Sequence, residues 1–227
     1  IDPETCGPVF IGLPQDVQGQ VYDYPEAFFA TRVHRVARPE PEPRAIDEVA
    51  TLLRRAKRPL IISGGGVHHA LATQGLERFA RAHGVPVVET IPGRAALLQS
   101  HPLNAGPIGV TGSDSANQMA GDADVVLAIG TRLQDFSTGS WTVFRNPDLT
   151  LVSINVCRHD AVKHFAVPVR ADAAAALDQL HAALGTWRAD DRWQALALSR
   201  SARWKATVAE RTQPAPGLPS YAQVVGA

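Results

Sequence analysis

The residues best suited to chemistry gather in three places. The first is SGGGVHHA at 63–70, between an apolar run and a helical pattern. Glycines there let the backbone approach a phosphate, and N–H groups at a helix start favour negative charge. The stretch misses the GxGxxG dinucleotide fingerprint, because His69 holds the third glycine position. Glu89, ending the next apolar run, has the residue type of a ribose-binding acid, although many strands end in an acid for no such reason. A tight strand-to-helix turn without a ligand stands beside the phosphate reading. The second place is the pair of loops at 130–132 (Gly130, Thr131, Arg132) and 155–158, which fall at the ends of apolar runs. In an open α/β sheet, ligands bind at that carboxyl edge.

The third place holds Cys157, His159 and His164, with His68 and His69 adjacent elsewhere. The three match no zinc spacing and bring no fourth ligand. Neighbouring histidines on a helix point about a hundred degrees apart, so no metal site is assigned. Cys157 has no base and orienting group in its vicinity to make it a nucleophile. No GxSxG, HExxH or GxxxxGK[ST] motif occurs, and no residue is assigned a catalytic role.

Such loops need elements to position them, and the chain supplies an alternation. Residues 45–56 place Ile46, Val49, Leu52 and Leu53 on one helical face, and 59–66 read as a buried strand entering the glycine loop. A helix over 71–84 closes on Gly84, and 85–90 form the next strand. A polar, glycine-rich stretch follows, then a helix near 115–121 and strands at 123–130, 149–156 and 165–172. Residues 173–185 form a helix ending at Gly185. Strands separated by helix-length segments imply right-handed crossovers, hence an α/β fold with an open, doubly wound parallel sheet of Rossmann type.

The flanks differ. PVFIGLP (8–14) reads as a buried parallel strand, the last of a preceding set. RPEPEPR (38–44) is stiffened toward polyproline II, and the basic run RVHRVAR (32–38) is a solvated connector. Trp193, Leu196, Ala197, Trp204 and Val208 share one face of a terminal helix, as if packing on something outside the chain. The expected boundaries are a remnant of a preceding domain over 1–24, a linker over 25–44, the α/β domain over 45–185, and a helix and linker over 186–227. The chain lacks an initiator Met and reads as a piece of a longer polypeptide.

Composition narrows the partners. Lys plus Arg and Asp plus Glu both total 22, so no global field draws nucleic acid or an anionic membrane. Two cysteines without a CxxC pair suit a reducing compartment, and no apolar run reaches the ~20 residues of a membrane span. A cytoplasmic protein with small-molecule or protein partners is expected.

PIGVTGSDSANQMAGDADVVLAIGTRLQDFSTGSW (107–141) resembles the central domain of thiamine-diphosphate-dependent enzymes of the acetolactate synthase type, with a strand ending in GTR. More narrowly, GTRLQDFSTGSW with SINVCRHDAVKH (153–164) is similar to the trihydroxycyclohexanedione hydrolases of myo-inositol catabolism, where Ser usually replaces Cys157. Residues 6–25 resemble the exit of that family's pyrimidine-binding domain, and 217–227 the entry to its diphosphate-binding domain. The resemblance covers the whole chain. It implies a three-domain parent, dimeric or tetrameric, that uses thiamine diphosphate and Mg2+ to hydrolyse a carbon–carbon bond of the cyclic diketone, giving 5-deoxyglucuronate.

The family's activating glutamate would lie upstream and its magnesium motif downstream, leaving this chain as the non-catalytic centre. In relatives that bind FAD or ADP centrally, the matching residues are Gly64, Gly65, Gly66, Gly130, Thr131 and Arg132, so these six are candidates for a vestigial nucleotide cleft. Two other readings remain: the FAD- or ADP-binding centre of an acetolactate synthase or related carboligase, and a stand-alone NAD-binding domain.

Overall fold

The structure is a computed structural model that describes residues 2–214 and 216–226. A short helix α1 (Gln15–Gln18) and a 3-10 turn (Glu26–Phe29) precede the domain. Helix α2 (Pro43–Arg55) starts on a proline, whose missing N–H is no loss in a first helical turn. It buries Ile46, Val49, Ala50 and Leu53. Next come β1 (Pro59–Ser63), α3 (Gly65–His69), α4 (Thr73–His83), β2 (Val87–Glu89) and β3 (Asn104–Pro107). Then follow α5 (Asp114–Asp122), β4 (Val125–Ile129), α6 (Asp135–Thr138), β5 (Thr150–Asn155), α7 (Arg158–Ala161) and β6 (Val167–Arg170). Helices α8 (Ala173–Leu184), α9 (Asp191–Arg211) and α10 (Tyr221–Gly226) complete the chain.

The strands form one six-stranded sheet in the order β3-β2-β1-β4-β5-β6, with every pair parallel. The order reverses between β1 and β4, where Pro59 to Ser63 run beside Val125 to Ile129. This is the expected doubly wound α/β fold. Alternation along each strand feeds two cores. Ile61, Leu127, Ile129, Val152 and Ile154 point into the layer made with α2, α4 and α8. Leu60, Ile62, Val126, Ala128 and Leu151 point into the layer made with α5 and α9. Each fully buried Leu or Ile contributes about 1.5–3 kcal/mol.

Caps set the helix ends. The Ser113 hydroxyl accepts from the Ala116 N–H at 3.1 Å at the start of α5, and Asp172 accepts from the Ala174 N–H at 2.9 Å at the start of α8. Helix α4 stops at Gly84, whose φ of 65° is left-handed.

Two expectations need correction. Residues 8–14 form no strand: the backbone hydrogen bonds of residues 2–20 run only to near neighbours. Phe10 stays 95% exposed and Val9 83%. The apolar run signals a tendency to be buried, but a strand also needs a ladder partner, and β6, at the sheet's edge, pairs only with β5. The terminal helix, in turn, finds its partner within the chain. Trp193 is buried, and its indole N–H donates to the Pro59 carbonyl at 2.8 Å. Arg200 pairs with Asp122 at 2.6 Å. The buried stripe is Trp193, Ala197 and Ser201, whereas Leu196 and Val208 face solvent.

Candidate functional site

The six glycine-loop and strand-end candidates come together at the carboxyl edge, where the strand order reverses. The Gly64 N–H donates to the Ile129 carbonyl at 2.9 Å, and the Gly66 N–H to the Gly130 carbonyl at 2.9 Å. Backbone lies directly on backbone there. A Cβ on Gly64 would sit 2.3 Å from the Gly130 oxygen, and one on Gly66 would sit 2.6 Å from the Gly130 Cα. Gly130 also needs its φ of 59°, so glycine is required on both sides of the seam.

Beyond the seam, the Asn155 amide donates to the Thr131 carbonyl at 3.1 Å, and the Asn155 side-chain oxygen accepts from the Cys157 N–H at 3.0 Å. The Thr131 hydroxyl accepts from the Leu133 N–H at 3.2 Å. Asn155 therefore fastens the β4 loop to the β5 loop. Sequence reasoning did not single it out, although a polar residue ending the apolar run 149–156 was the available signal.

This geometry defines what the corner can do. Two of the three glycine N–H groups already bond to carbonyls, and α3 is a single five-residue turn. Arg132 is exposed, without a hydrogen bond or ion pair among the described residues. The corner thus offers the exposed Arg132 beside a closed backbone seam.

The other candidates are dispersed. The His68 ring nitrogen Nε2 lies 2.8 Å from the Arg94 carbonyl, a pure acceptor, so that nitrogen donates, while His69 is exposed. His164 stacks on Trp141 with ring centres 4.4 Å apart, its Nε2 facing the Leu133 carbonyl at 3.2 Å, and His159 is exposed. Among the described residues no three His, Cys, Asp or Glu side chains gather as a metal site. Glu89 is buried, and its carboxylate accepts from the Leu97 N–H at 3.2 Å. Burial holds its pKa above the ordinary range, partly offset by the Leu97 N–H and the Asn104 side chain.

A histidine pair was not anticipated: the Nε2 of the buried His83 lies 2.9 Å from Nδ1 of His181, which is exposed, and His83 Nδ1 lies 2.7 Å from the Trp187 carbonyl. Burial depresses the His83 pKa, against the raising effect of that carbonyl.

Comparison with known proteins places this architecture. The family model described as "Thiamine pyrophosphate enzyme, central domain" matches residues 46–180. A protein of Clostridium perfringens named 3D-(3,5/4)-trihydroxycyclohexane-1,2-dione hydrolase is 40% identical over 90% of this chain and 32% of its own length. Proteins of the same name from Clostridium tetani and Geobacillus thermodenitrificans are 45% and 42% identical, over 79% and 82% of this chain. The chain spans 28% and 29% of those two relatives' lengths. With the match covering more than half of its residues and the doubly wound sheet beneath it, the chain belongs to the thiamine pyrophosphate enzyme central-domain family.

Proposed function

We propose that this chain is the non-catalytic central domain of a thiamine-diphosphate-dependent enzyme that hydrolyses a carbon–carbon bond of trihydroxycyclohexane-1,2-dione to 5-deoxyglucuronate in myo-inositol catabolism. The observation that carries the reading is 40–45% identity to three hydrolases across 79–90% of the chain. We assign thiamine diphosphate and Mg2+ to flanking pyrimidine- and diphosphate-binding domains, a reading supported by the chain's span of 28–32% of those relatives' lengths. In that arrangement residues 1–24 end the first of these, 25–44 link, 45–185 form the centre, and 186–227 lead to the second.

The chain's own contribution is rigidity. Pro39 and Arg38 tie the linker to Asp172, through an N–H to carbonyl bond of 2.8 Å and an ion pair of 2.9 Å. A homo-oligomeric parent in the cytoplasm completes the proposal; among the described residues no helix is long and apolar enough to cross a membrane. The test is turnover of the cyclic diketone with thiamine diphosphate and Mg2+. Activity of the complete protein and none from the 227-residue chain is expected. Turnover by the chain alone overturns its non-catalytic role, and an inactive complete protein overturns the substrate.

A nucleotide reading of the corner is favoured by one feature, the exposed Arg132, without a partner among the described residues, beside Gly64, Gly65, Gly66, Gly130 and Thr131. The closed seam favours a structural role instead, and that is the role we assign. A thermal shift with ADP or FAD separates the two, since a ligand at 100 times its dissociation constant stabilises by about 2.7 kcal/mol.

A further inference from the structure

A concavity adjoins the glycine corner, between the 94–99 loop, β3 and α9. It has a volume of about 370 Å³. Its floor is fixed: the Glu89 carboxylate accepts from the Leu97 N–H, the Asn104 amide donates to the Leu97 carbonyl at 3.0 Å, and the Ser201 hydroxyl donates to the Asn104 carbonyl at 3.2 Å. Arg94 and Lys205 also line it, together with the half-buried Trp204. Neither cation forms an ion pair among the described residues. Among the described residues the Lys205 ammonium donates to the Gln99 carbonyl, at 3.3 Å, and the Arg94 charge makes a small favourable contribution to the Glu89 carboxylate. Two cations against the single carboxylate of Glu89, with an indole and a rigid polar floor, combine an attraction for negative charge with an apolar surface.

We infer that this cleft binds a small organic anion, a carboxylate or phosphate ester, held by Arg94 and Lys205 with Trp204 as its apolar wall. Glu89 opposes the ligand: it places a carboxylate in the floor of a site for anions. The cleft is roomier than an anionic group alone requires, so the ligand carries a body that reaches the indole. The three residues are contributed by the loop after β2 and by the helix that returns across β3. Assembly of the site thus depends on α9 being docked.

The test uses the full 227-residue chain, 15N-labelled, with inorganic phosphate, acetate and benzoate as probes. The resonance of the Trp204 indole N–H is followed by NMR. Saturable shifts are expected. Preference for phosphate identifies the ester class, and preference for benzoate over acetate identifies a carboxylate with an apolar body. Arg94→Met and Lys205→Met should each weaken binding about tenfold, the effect of losing one hydrogen bond to a charged group. Glu89→Gln should tighten it, and Lys57→Met, at an exposed position far along the chain, should leave it unchanged. Unaltered near-ultraviolet circular dichroism confirms that each variant is folded. Absence of saturation with all three probes overturns the inference. So does equal weakening by Lys57→Met and Lys205→Met, or weaker binding by Glu89→Gln.

Discussion

The His83–His181 pair makes a pH-dependent stability with a defined origin. The Trp187 carbonyl can only accept, so His83 carries its proton on Nδ1. Its Nε2 must then accept, and His181 donates from Nδ1. A second proton on His83 would aim one N–H at another, in a buried ring that also feels the charge of Arg188. The folded-state pKa of His83 therefore lies below its ordinary value of 6.5. As pH falls, the unfolded chain takes up that proton first, so the stabilisation is complete above about pH 6.5 and is lost below it, with a limiting slope of about 1.4 kcal/mol per pH unit.

His83→Phe keeps a ring between Phe79 and Trp187, whose centres lie 4.7 and 5.9 Å from that of His83, but leaves the Trp187 carbonyl without its donor. At pH 8 the variant should be less stable by about 1–3 kcal/mol. Between pH 6.5 and 5 the gap should shrink by up to about 2 kcal/mol, because only the native chain is penalised for His83 protonation. Urea unfolding at half-unit pH intervals measures it. His101, whose pKa burial also depresses, is present in both proteins and cancels. A gap that stays constant from pH 8 to pH 5 refutes the tautomer assignment and the burial argument together.

Three further outcomes are expected. Gly64→Ala places a Cβ 2.3 Å from the Gly130 oxygen and should cost about 3 kcal/mol or more, while Gly185→Ala, in open space at φ 58°, should cost about 1–2 kcal/mol; denaturant midpoints compare them. Asp172→Ala removes both the α8 cap and the partner of Arg38 and should cost about 2 kcal/mol, whereas Arg38→Ala, at a half-exposed site, should cost under about 1 kcal/mol in the same assay. The raised pKa of Glu89 means its contribution is intact below the ordinary value of 4.5 and declines as pH rises through the folded-state value. Glu89→Gln should therefore gain stability relative to the native chain between pH 4 and pH 8, read by thermal melting.

The sheet was legible because its central strands are buried on both faces and read as unbroken apolar runs such as PLIIS and VVLAI. Strand β3 was not, since NAGP carries no such run. It is held by the Asn104 side chain, which accepts from the Gly106 N–H at 2.8 Å, and by irregular pairing with β2. Helix α3, with glycines in its first turn, contradicts local propensity and exists because Gly66 is anchored to Gly130. Periodicity exposed the tail helix but not its partner: the stripe that docks includes Ser201, a polar residue that bonds to Asn104. At the corner, resemblance to a family indicated which loops converge, while the seam's tightness depended on distances that no spacing rule contains. Glu89 illustrates the same limit, since its residue type was evident and its burial was not.

The bond from Trp193 to the Pro59 carbonyl joins residues 134 positions apart. It has a consequence for synthesis. The first strand of the sheet leaves the ribosome long before the helix that covers one of its faces, and Leu60 and Ile62 on that face lack the indole until Trp193 emerges. A nascent chain shortened before Asp191 would display that face to chaperones and to other chains, while one extended past Arg211 would conceal it. Docking of the last long helix is thus the step that completes the second core.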